Sequence, residues 1–490
     1  MKIRKIGTAL SAAAAVILLV YFLRSHRETG VPSQDSKKKY NVIIIVSDAL
    51  RADALGCYEG EASTPNLDRL AARGVLFENA FSTSPWTVPS AVGMFAGSYA
   101  TSYDFSPAGR TARVLVPDNE FLFAEALKTL GYDAVMKIEN FQASYHNNFQ
   151  GFNPLPSVGD IKQSVPKEIR RKIRAITGRR YYRSSAYMNS FVVLRYLLDV
   201  PLDKNFILVY WILDPHEPYT PLNKFKSRIR VNKSKLSRNE SFYTSPGDFD
   251  HTLSDAETRF VKDLYLAEVA SVDERAGYVL KMLSKRHLED NTYVIFTSDH
   301  GEQFGERGMY GHGGFGLDCN YYNVLVNVPL IIAGPGIKGG RRVKQNISLL
   351  GLMPALKELL GVKYKGSMQG ESFVPLVLGR RGRDKLLYFD NIRTNNQIDA
   401  AVENNYKLIS LRNNGFELYD LSADPDESNN IAGSNKHIIE SMYSRIENMR
   451  EWNRERQKAN SSAVADSARI TTPEKQRELL EKLKALGYVK

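Results

Sequence analysis

After its N-terminal stretch, the chain's most apolar segments are short and rich in β-branched residues, and several run straight into a polar or acidic cluster. NVIIIVSDA begins at Asn41, GVLFENAF at Gly74, NFILVYWILD at Asn205, TYVIFTSDH at Thr292 and NVPLIIAG at Asn327. Continuous apolar runs of this length predict strands buried on both faces, as in a parallel sheet covered by helices. Segments of helical period lie between them: residues 66–73, the stretch from Thr87 onward, residues 120–130 before Gly131, a long segment over 254–285, and residues 349–360. Such alternation predicts an α/β body, a doubly wound mixed sheet flanked by helices. Past residue 385 the pattern shifts to short strands, DAAVENNYKLISLR and GFELYDLS, and then a charged helix. This reads as a small α+β subdomain over 385–455, after a catalytic domain over 40–384. A charged tail over 456–490 carries an amphipathic helix that packs back on the body.

The N-terminus adds a location. An apolar run over residues 6–23 is preceded by Lys2, Arg4 and Lys5 and followed by Arg24, His26 and Arg27. It reaches bilayer-spanning length with no small-residue cleavage pattern behind it, so residues 1–27 read as a cytoplasmic tip and signal anchor rather than a cleaved signal peptide. Basic residues ahead of the span predict a single-pass membrane protein whose catalytic domain is periplasmic or extracellular, held off the membrane by a linker over 28–39. Composition, 43% hydrophobic and 24% charged, excludes a disordered chain. The formal charge of +12 points to anionic partners such as an ester substrate, a lipid headgroup or a polyanion, and no nucleic acid is expected. Basic runs over 162–183 and 224–238 read first as solvated loops, with a membrane surface or polyanion contact as the sharper alternative. Two cysteines, Cys57 and Cys319, cannot build a disulfide framework and read as free thiols.

Chemistry in a doubly wound sheet gathers beyond the carboxyl ends of its strands. Asp48, His216, Asp299 and His300 all fall there. A further candidate lies in STSPWTVPSAVGMFAG, residues 82–97, which reads as a loop turning into a helix with Pro89 in its first turn. A hydroxyl on Thr87, just ahead of that turn, stands where unpaired amides converge and an anion is favoured. The plainer reading is that Thr87 or Ser84 caps the helix.

The blocks SDALRADALGCY, TVPSAVGMFAG, DPHEPYTP, SDHGEQFGERGMYGHGG, NVPLIIAGPG and YKLI with ELYDLSADPDESNN occur in this order between about Tyr40 and Ala432. Together they resemble the sulfatase family of the alkaline phosphatase superfamily. The resemblance implies one divalent metal ion, Mn²⁺, Mg²⁺, Zn²⁺ or Ca²⁺, held by Asp48, Asp299 and His300 with Thr87. Ala49 stands where calcium-binding members carry a second acid, which favours a leaner site. His216 is implied as a donor to a non-bridging oxygen of the bound ester, and His312 as the group beside the leaving oxygen; both would be substrate-binding and catalytic.

Sulfatases carry C-x-P-S-R in the second block, with the cysteine oxidised to formylglycine. Here Thr87 takes the nucleophile's place and Ala91 the arginine's, so formylglycine is not expected. A threonine has one hydroxyl and cannot form an aldehyde, so a sulfated Thr87 would lack the family's route of release. A phosphorylated Thr87 can be attacked at phosphorus by water or another alcohol. Thr at this position is similar to the lipoteichoic acid synthases and phosphoethanolamine transferases. The expectation is therefore a membrane-anchored, metal-dependent hydrolase or transferase that cleaves phosphate diesters through a covalent Thr87 intermediate. The alternative is a sulfuric ester hydrolase acting on sulfated glycans or small sulfate esters. A binding protein without turnover is a third reading, opposed by the joint presence of Asp48, Asp299, His300, His216 and His312.

Overall fold

A computed structural model describes residues 39–468 apart from short stretches, of which 141–151, 158–180 and 245–252 are the longest. Its central sheet has nine strands: β1 (Asn41–Ser47), β2 (Val75–Phe81), β3 (Asp133–Ile138), β4 (Asn153–Pro154), β5 (Phe206–Ile212), β6 (Thr292–Ser298), β7 (Asn327–Ala333), β8 (Arg341–Val343) and β9 (Ile347–Ser348). They run in the order β8-β2-β7-β6-β1-β5-β3-β4, with β9 also paired to β2. The strands on and beside β1 are parallel, while β7 runs antiparallel to both β6 and β2. The β7–β2 register slips between Val328 and Leu330. Pro329 occupies that slip, as a residue with no N–H to give the ladder must. The sheet is thus mixed and doubly wound, as the sequence predicts.

Every residue of β1 is buried, and the two-residue strand period sorts its side chains into two cores. Val42, Ile44 and Val46 join the apolar faces of α2 (Thr87–Ala96), α3 (Leu122–Thr129) and α6 (Leu352–Leu359). Ile43 and Ile45 join those of α1 (Pro65–Arg73), α4 (Tyr181–Asp199) and α5 (Asp255–Lys285) on the other side. α5 starts at a capping box between Ser254 and Glu257, which satisfies its first amides. α4 has no counterpart in the sequence reading, because polar residues and the adjoining basic run mask the buried series Met188, Val192, Val193 and Leu197.

The C-terminal region forms a second, antiparallel sheet of β10 (Leu387–Phe389), β11 (Asp399–Glu403), β12 (Tyr406–Ser410) and β13 (Phe416–Asp420). One face, with Phe389, Val402 and Ile409, packs on Phe81, Tyr321 and Leu325 of the main body. The other face receives α7 (Lys436–Ala468) through Ile439, Met442 and Ile446. α7 runs unbroken across the division expected at 455/456, while residues 469–490, with the expected amphipathic helix, lie outside the described residues.

The apolar run over 6–23 also lies outside them, and among the described residues no helix is long and apolar enough to cross a membrane. Most of the 162–183 run is likewise outside. Within the second basic run Lys224 is no solvated loop residue, since it pairs with Glu274 at 2.5 Å. Cys57 is a half-buried free thiol that burial pushes up to about 12; Cys319 is not among the described residues.

Asp390, just after β10, is fully buried. Its Oδ2 accepts from the amide and the hydroxyl of Thr101, each at 2.9 Å, while Oδ1 has no hydrogen-bond partner. Burial raises this carboxyl to about 7 in spite of those bonds. A raised carboxyl stabilises the fold fully below its unfolded value, and that contribution is lost as pH climbs through the folded one. Asp390→Asn is therefore expected to be more stable than the parent at pH 8, by about 2–4 kcal/mol, with the gap narrowing toward pH 4. Urea denaturation at the two pH values checks this.

Candidate active site

Ser47 of β1 and Ser298 of β6 stand opposite each other in parallel register, so Asp48 and Asp299 leave the sheet at one level. Both are fully buried. Asp48 Oδ2 accepts from the Trp211 indole at 2.9 Å and the Asn140 side-chain amide at 2.5 Å. Asp299 Oδ1 accepts from the backbone amides of Ala49 at 3.1 Å and His300 at 2.9 Å. Ala49 holds a left-handed φ of 56°, a conformation costing an alanine roughly 1–2 kcal/mol. The other two oxygens, Asp48 Oδ1 and Asp299 Oδ2, have no hydrogen-bond partner.

His300 turns its Nε2 toward them. Its Nδ1 donates to the Gly301 carbonyl at 2.8 Å, which leaves the lone pair on Nε2. That nitrogen lies 3.4 Å from Asp299 Oδ2 and 3.8 Å from Asp48 Oδ1. Burial first, and then the neighbouring His312 and His216, hold the imidazole well below its ordinary value, so it is neutral. Gly301 is required next to it, because a Cβ there would come within 2.0 Å of the Val324 carbonyl oxygen.

Thr87 is the first residue of α2, following Trp86, whose side chain makes no capping bond. The capping reading fails here because the threonine hydroxyl is turned into the site. It lies 3.3 Å from His300 Nε2 and 3.4 Å from Asn140 Nδ2. Ser84, the other capping candidate, serves instead through its carbonyl, which accepts from the Ser82 and Ser90 hydroxyls at 2.9 and 2.7 Å. Ala91 sits one turn further on, fully buried in the apolar core.

His216 occupies the turn after β5, and its Nδ1 donates to the Glu217 carbonyl at 2.7 Å. The His312 ring stands 4.9 Å from that of His216 and 4.3 Å from that of His300, centre to centre. His312 Nδ1 is 2.9 Å from Glu302 Oε1, and the other Glu302 oxygen accepts from the Tyr219 hydroxyl at 2.8 Å. Burial works to lower the His312 imidazole, but Glu302, with Glu217 and Asp48 behind it, holds the group up to about 9, so it is cationic at neutral pH. The turn between them is tied to the body by Arg51, which pairs with Glu306 at 2.6 Å and donates to the Glu302 carbonyl at 3.1 Å. Arg307 in the same turn stacks 3.6 Å over Tyr322 and donates to the Glu427 carbonyl.

All the sequence-predicted residues thus meet in one place. The ligand atoms of Asp48, Asp299 and His300 lie within 4.8 Å of one another, the only such cluster among the described residues. Two buried carboxylate oxygens without partners and an imidazole lone pair are a donor set for a divalent cation. Without one, burial and the facing Asp48 push the Asp299 carboxyl far above its ordinary range. The residues present therefore fit a divalent metal, with Thr87 Oγ1 beside them. Asn140, Trp211, Glu302 and Tyr219 escaped the sequence reading. Asn140 carried a usable signal, a polar residue past the end of a buried strand, as Asp48 does.

A profile of the sulfatase family matches residues 40–362, and one for the C-terminal part of N-sulphoglucosamine sulphohydrolase matches residues 312–452. The chain belongs to the sulfatase family, and is a sulfatase-family hydrolase by that relationship. It is 24% identical over 430 residues to the uncharacterized sulfatase YidJ of Escherichia coli K12, covering 80% of this chain and 83% of that protein. It is 24% identical over 445 residues to the choline-sulfatase of Rhizobium meliloti, covering 80% and 82%. The crystal structure of the phosphonate monoester hydrolase of Agrobacterium radiobacter shares the fold with a TM-score of 0.63 at 20% identity, over 85% of this chain and 96% of that one.

Stripping divalent cations with a chelator is expected to lower the melting temperature, and restoring one at about a hundred times its Kd should return about 2.7 kcal/mol. Asp299→Asn should abolish that response without destabilising the metal-free protein. Thermal melts with and without Mn²⁺, Mg²⁺, Zn²⁺ and Ca²⁺ check both outcomes.

Proposed function

We propose that the chain hydrolyses sulfate monoesters, as an exported enzyme held at a membrane. The observation that carries this is the charge of the centre: the groups named around Thr87 are neutral or acidic apart from His312, itself balanced by Glu302. Two carboxylates offset a divalent cation, so the completed site suits a singly charged ester better than a doubly charged phosphate monoester. The sulfatase relatives support the same choice over the transferase expected from the sequence.

The ester's non-bridging oxygens would face the amides at the N-terminus of α2 and His216. His216 has its Nδ1 bonded to the Glu217 carbonyl, which leaves Nε2 as the ring nitrogen available to the ester. A bound divalent cation supplies charge screening and polarises the attacking oxygen. Water positioned by Thr87 and Asn140 attacks sulfur, the sulfur–oxygen bond to the alcohol breaks, and His312 gives its proton to the departing oxygen. Of the two protons lost by the water, one restores His312 and the other goes to solvent. Thr87 acts here as a positioning residue, because a sulfated threonine has no aldehyde-forming exit.

A second reading rests on the Thr87 hydroxyl itself, set against the neutral His300 nitrogen at 3.3 Å. Phosphodiesters are also singly charged, and a phosphorylated threonine can be cleared by attack at phosphorus.

Three esters of one phenol, a sulfate, a methyl phosphodiester and a phosphate monoester, separate the readings. The sulfate is expected to lead in kcat/KM by more than about tenfold, with Thr87→Ala keeping its turnover within about a hundredfold. A leading phosphodiester, a dead Thr87→Ala and a phosphothreonine trapped in mass spectra would establish the second reading instead. The apolar run over 6–23 and the basic residues ahead of it support the membrane placement. Fractionation should recover the full chain with membranes, and external protease should cleave it.

A further inference from the structure

Asn140 and His216 stand on two loops that leave the sheet side by side, because β3 and β5 are parallel neighbours paired as far as Ile138 and Trp211. The Glu139 amide still reaches the Trp211 carbonyl at 3.1 Å, and past that point side chains link the loops. Each loop carries an acid just ahead of its site residue: Glu139 directly before Asn140, and Asp214 two positions before His216. Both acids meet Arg275 of α5, which is fully buried and pairs with Glu139 and with Asp214 at 3.3 Å. Glu139 also accepts from the Leu213 amide at 3.2 Å, and the Leu213 carbonyl accepts from the His216 amide at 2.9 Å. A continuous chain of bonds thus runs from Arg275 to the backbone beside both site residues.

The guanidinium is itself fixed by the body. Its Nε donates to the Ser190 hydroxyl at 3.0 Å and its Nη2 to the Ala186 carbonyl at 3.1 Å, both on α4, and Nη2 also reaches the Tyr210 hydroxyl of β5 at 2.7 Å. A lysine ammonium, a point charge without the planar fork, cannot serve these positions together. Burial opposes the charge on Arg275 and on Glu139 alike. A buried group of this kind adds little to stability over apolar side chains of similar volume, so its effect lies in the geometry it imposes. That geometry extends to the cation site, because the Asp214 carbonyl accepts at 2.8 Å from the hydroxyl of Ser47, the residue before Asp48.

We infer that Arg275 is a positioning residue for the reaction. It sets the spacing between Asn140, which bonds Asp48 and lies 3.4 Å from the Thr87 hydroxyl, and His216, which faces the ester's oxygens. The inference rests on the proposed ester hydrolysis for the part that His216 plays; the clamp is a property of the two loops.

Arg275→Lys keeps a charge opposite both acids and loses the fork. With whichever of the three phenol esters the parent turns over fastest, it is expected to lower kcat/KM about a hundredfold. Parental kcat/KM in the folded variant overturns the inference. Asp214→Asn, at a side chain that is partly exposed, frees the His216 loop alone and decides the matter should Arg275→Lys not fold. Its cost in kcat/KM, about tenfold, should vanish in a His216→Ala background and persist in an Asn140→Ala background. An equal cost in both backgrounds marks a merely structural role and ends the inference. Should the parent turn over none of the esters, the proposed function falls, and calorimetry with inorganic sulfate in the presence of Mn²⁺ replaces turnover. Binding weakened about tenfold by Asp214→Asn in the parent, and unaffected by it in His216→Ala, then supports the clamp; binding unchanged in the parent, or weakened equally in both, overturns it.

Discussion

Two carboxylates face each other in a space closed to water, and much of the molecule is arranged around that fact. Asp48 and Asp299 arrive side by side because β1 and β6 are parallel and in register, and each is fixed by donors on one oxygen only. Burial of two such anions is costly unless something positive lies between them. The apolar strands that deliver them, the neutral imidazole of His300 and the strained backbone at Ala49 make sense as the frame of a cation site, and of little else.

Legibility in the sequence followed the physics of each element. The buried strands could be read because a strand covered on both faces has no polar alternation, and β1, β5 and β6 have none. Their ends could be read because an acid or histidine after such a run has few structural reasons to be there. The order of the strands could not, since β7 reverses direction between β6 and β2 without a local signature beyond Pro329. α4 was hidden by its own composition. Among site residues, Asp48, Thr87, His216, Asp299, His300 and His312 were legible through ordered motifs. Trp211 was not, because it owes its role to Asp48, some 160 positions away, and Asn140 showed only its place past a strand end, not the Asp48 it bonds. Glu302 lay inside a quoted motif, yet its effect on His312 depends on how the turn closes.

The departure at Thr87 and Ala91 reshapes the chemistry more than the fold. α2 begins at Thr87, beside the centre, and Ala91 is part of the apolar packing one turn on. What differs is the balance of charge: no guanidinium stands at position 91, and the cation among the named site residues is the His312 imidazolium, held up against burial by Glu302 with Glu217 and Asp48. The family's architecture is retained, while the two side chains that differ stand at the N-terminal turns of α2.

The turn bearing Glu302 and His312 is gripped from two sides. Arg51 holds it from the strand body, and Arg307 binds it to Tyr322 and Glu427, where Lys407 of β12 pairs with Glu427 at 2.7 Å and donates to Asn323 at 2.9 Å. The His312–Glu302 pair is therefore built across a seam between the two sheets. Neither half owns it, so any loosening of the smaller sheet is felt as a misplaced proton before it is felt as a lost fold.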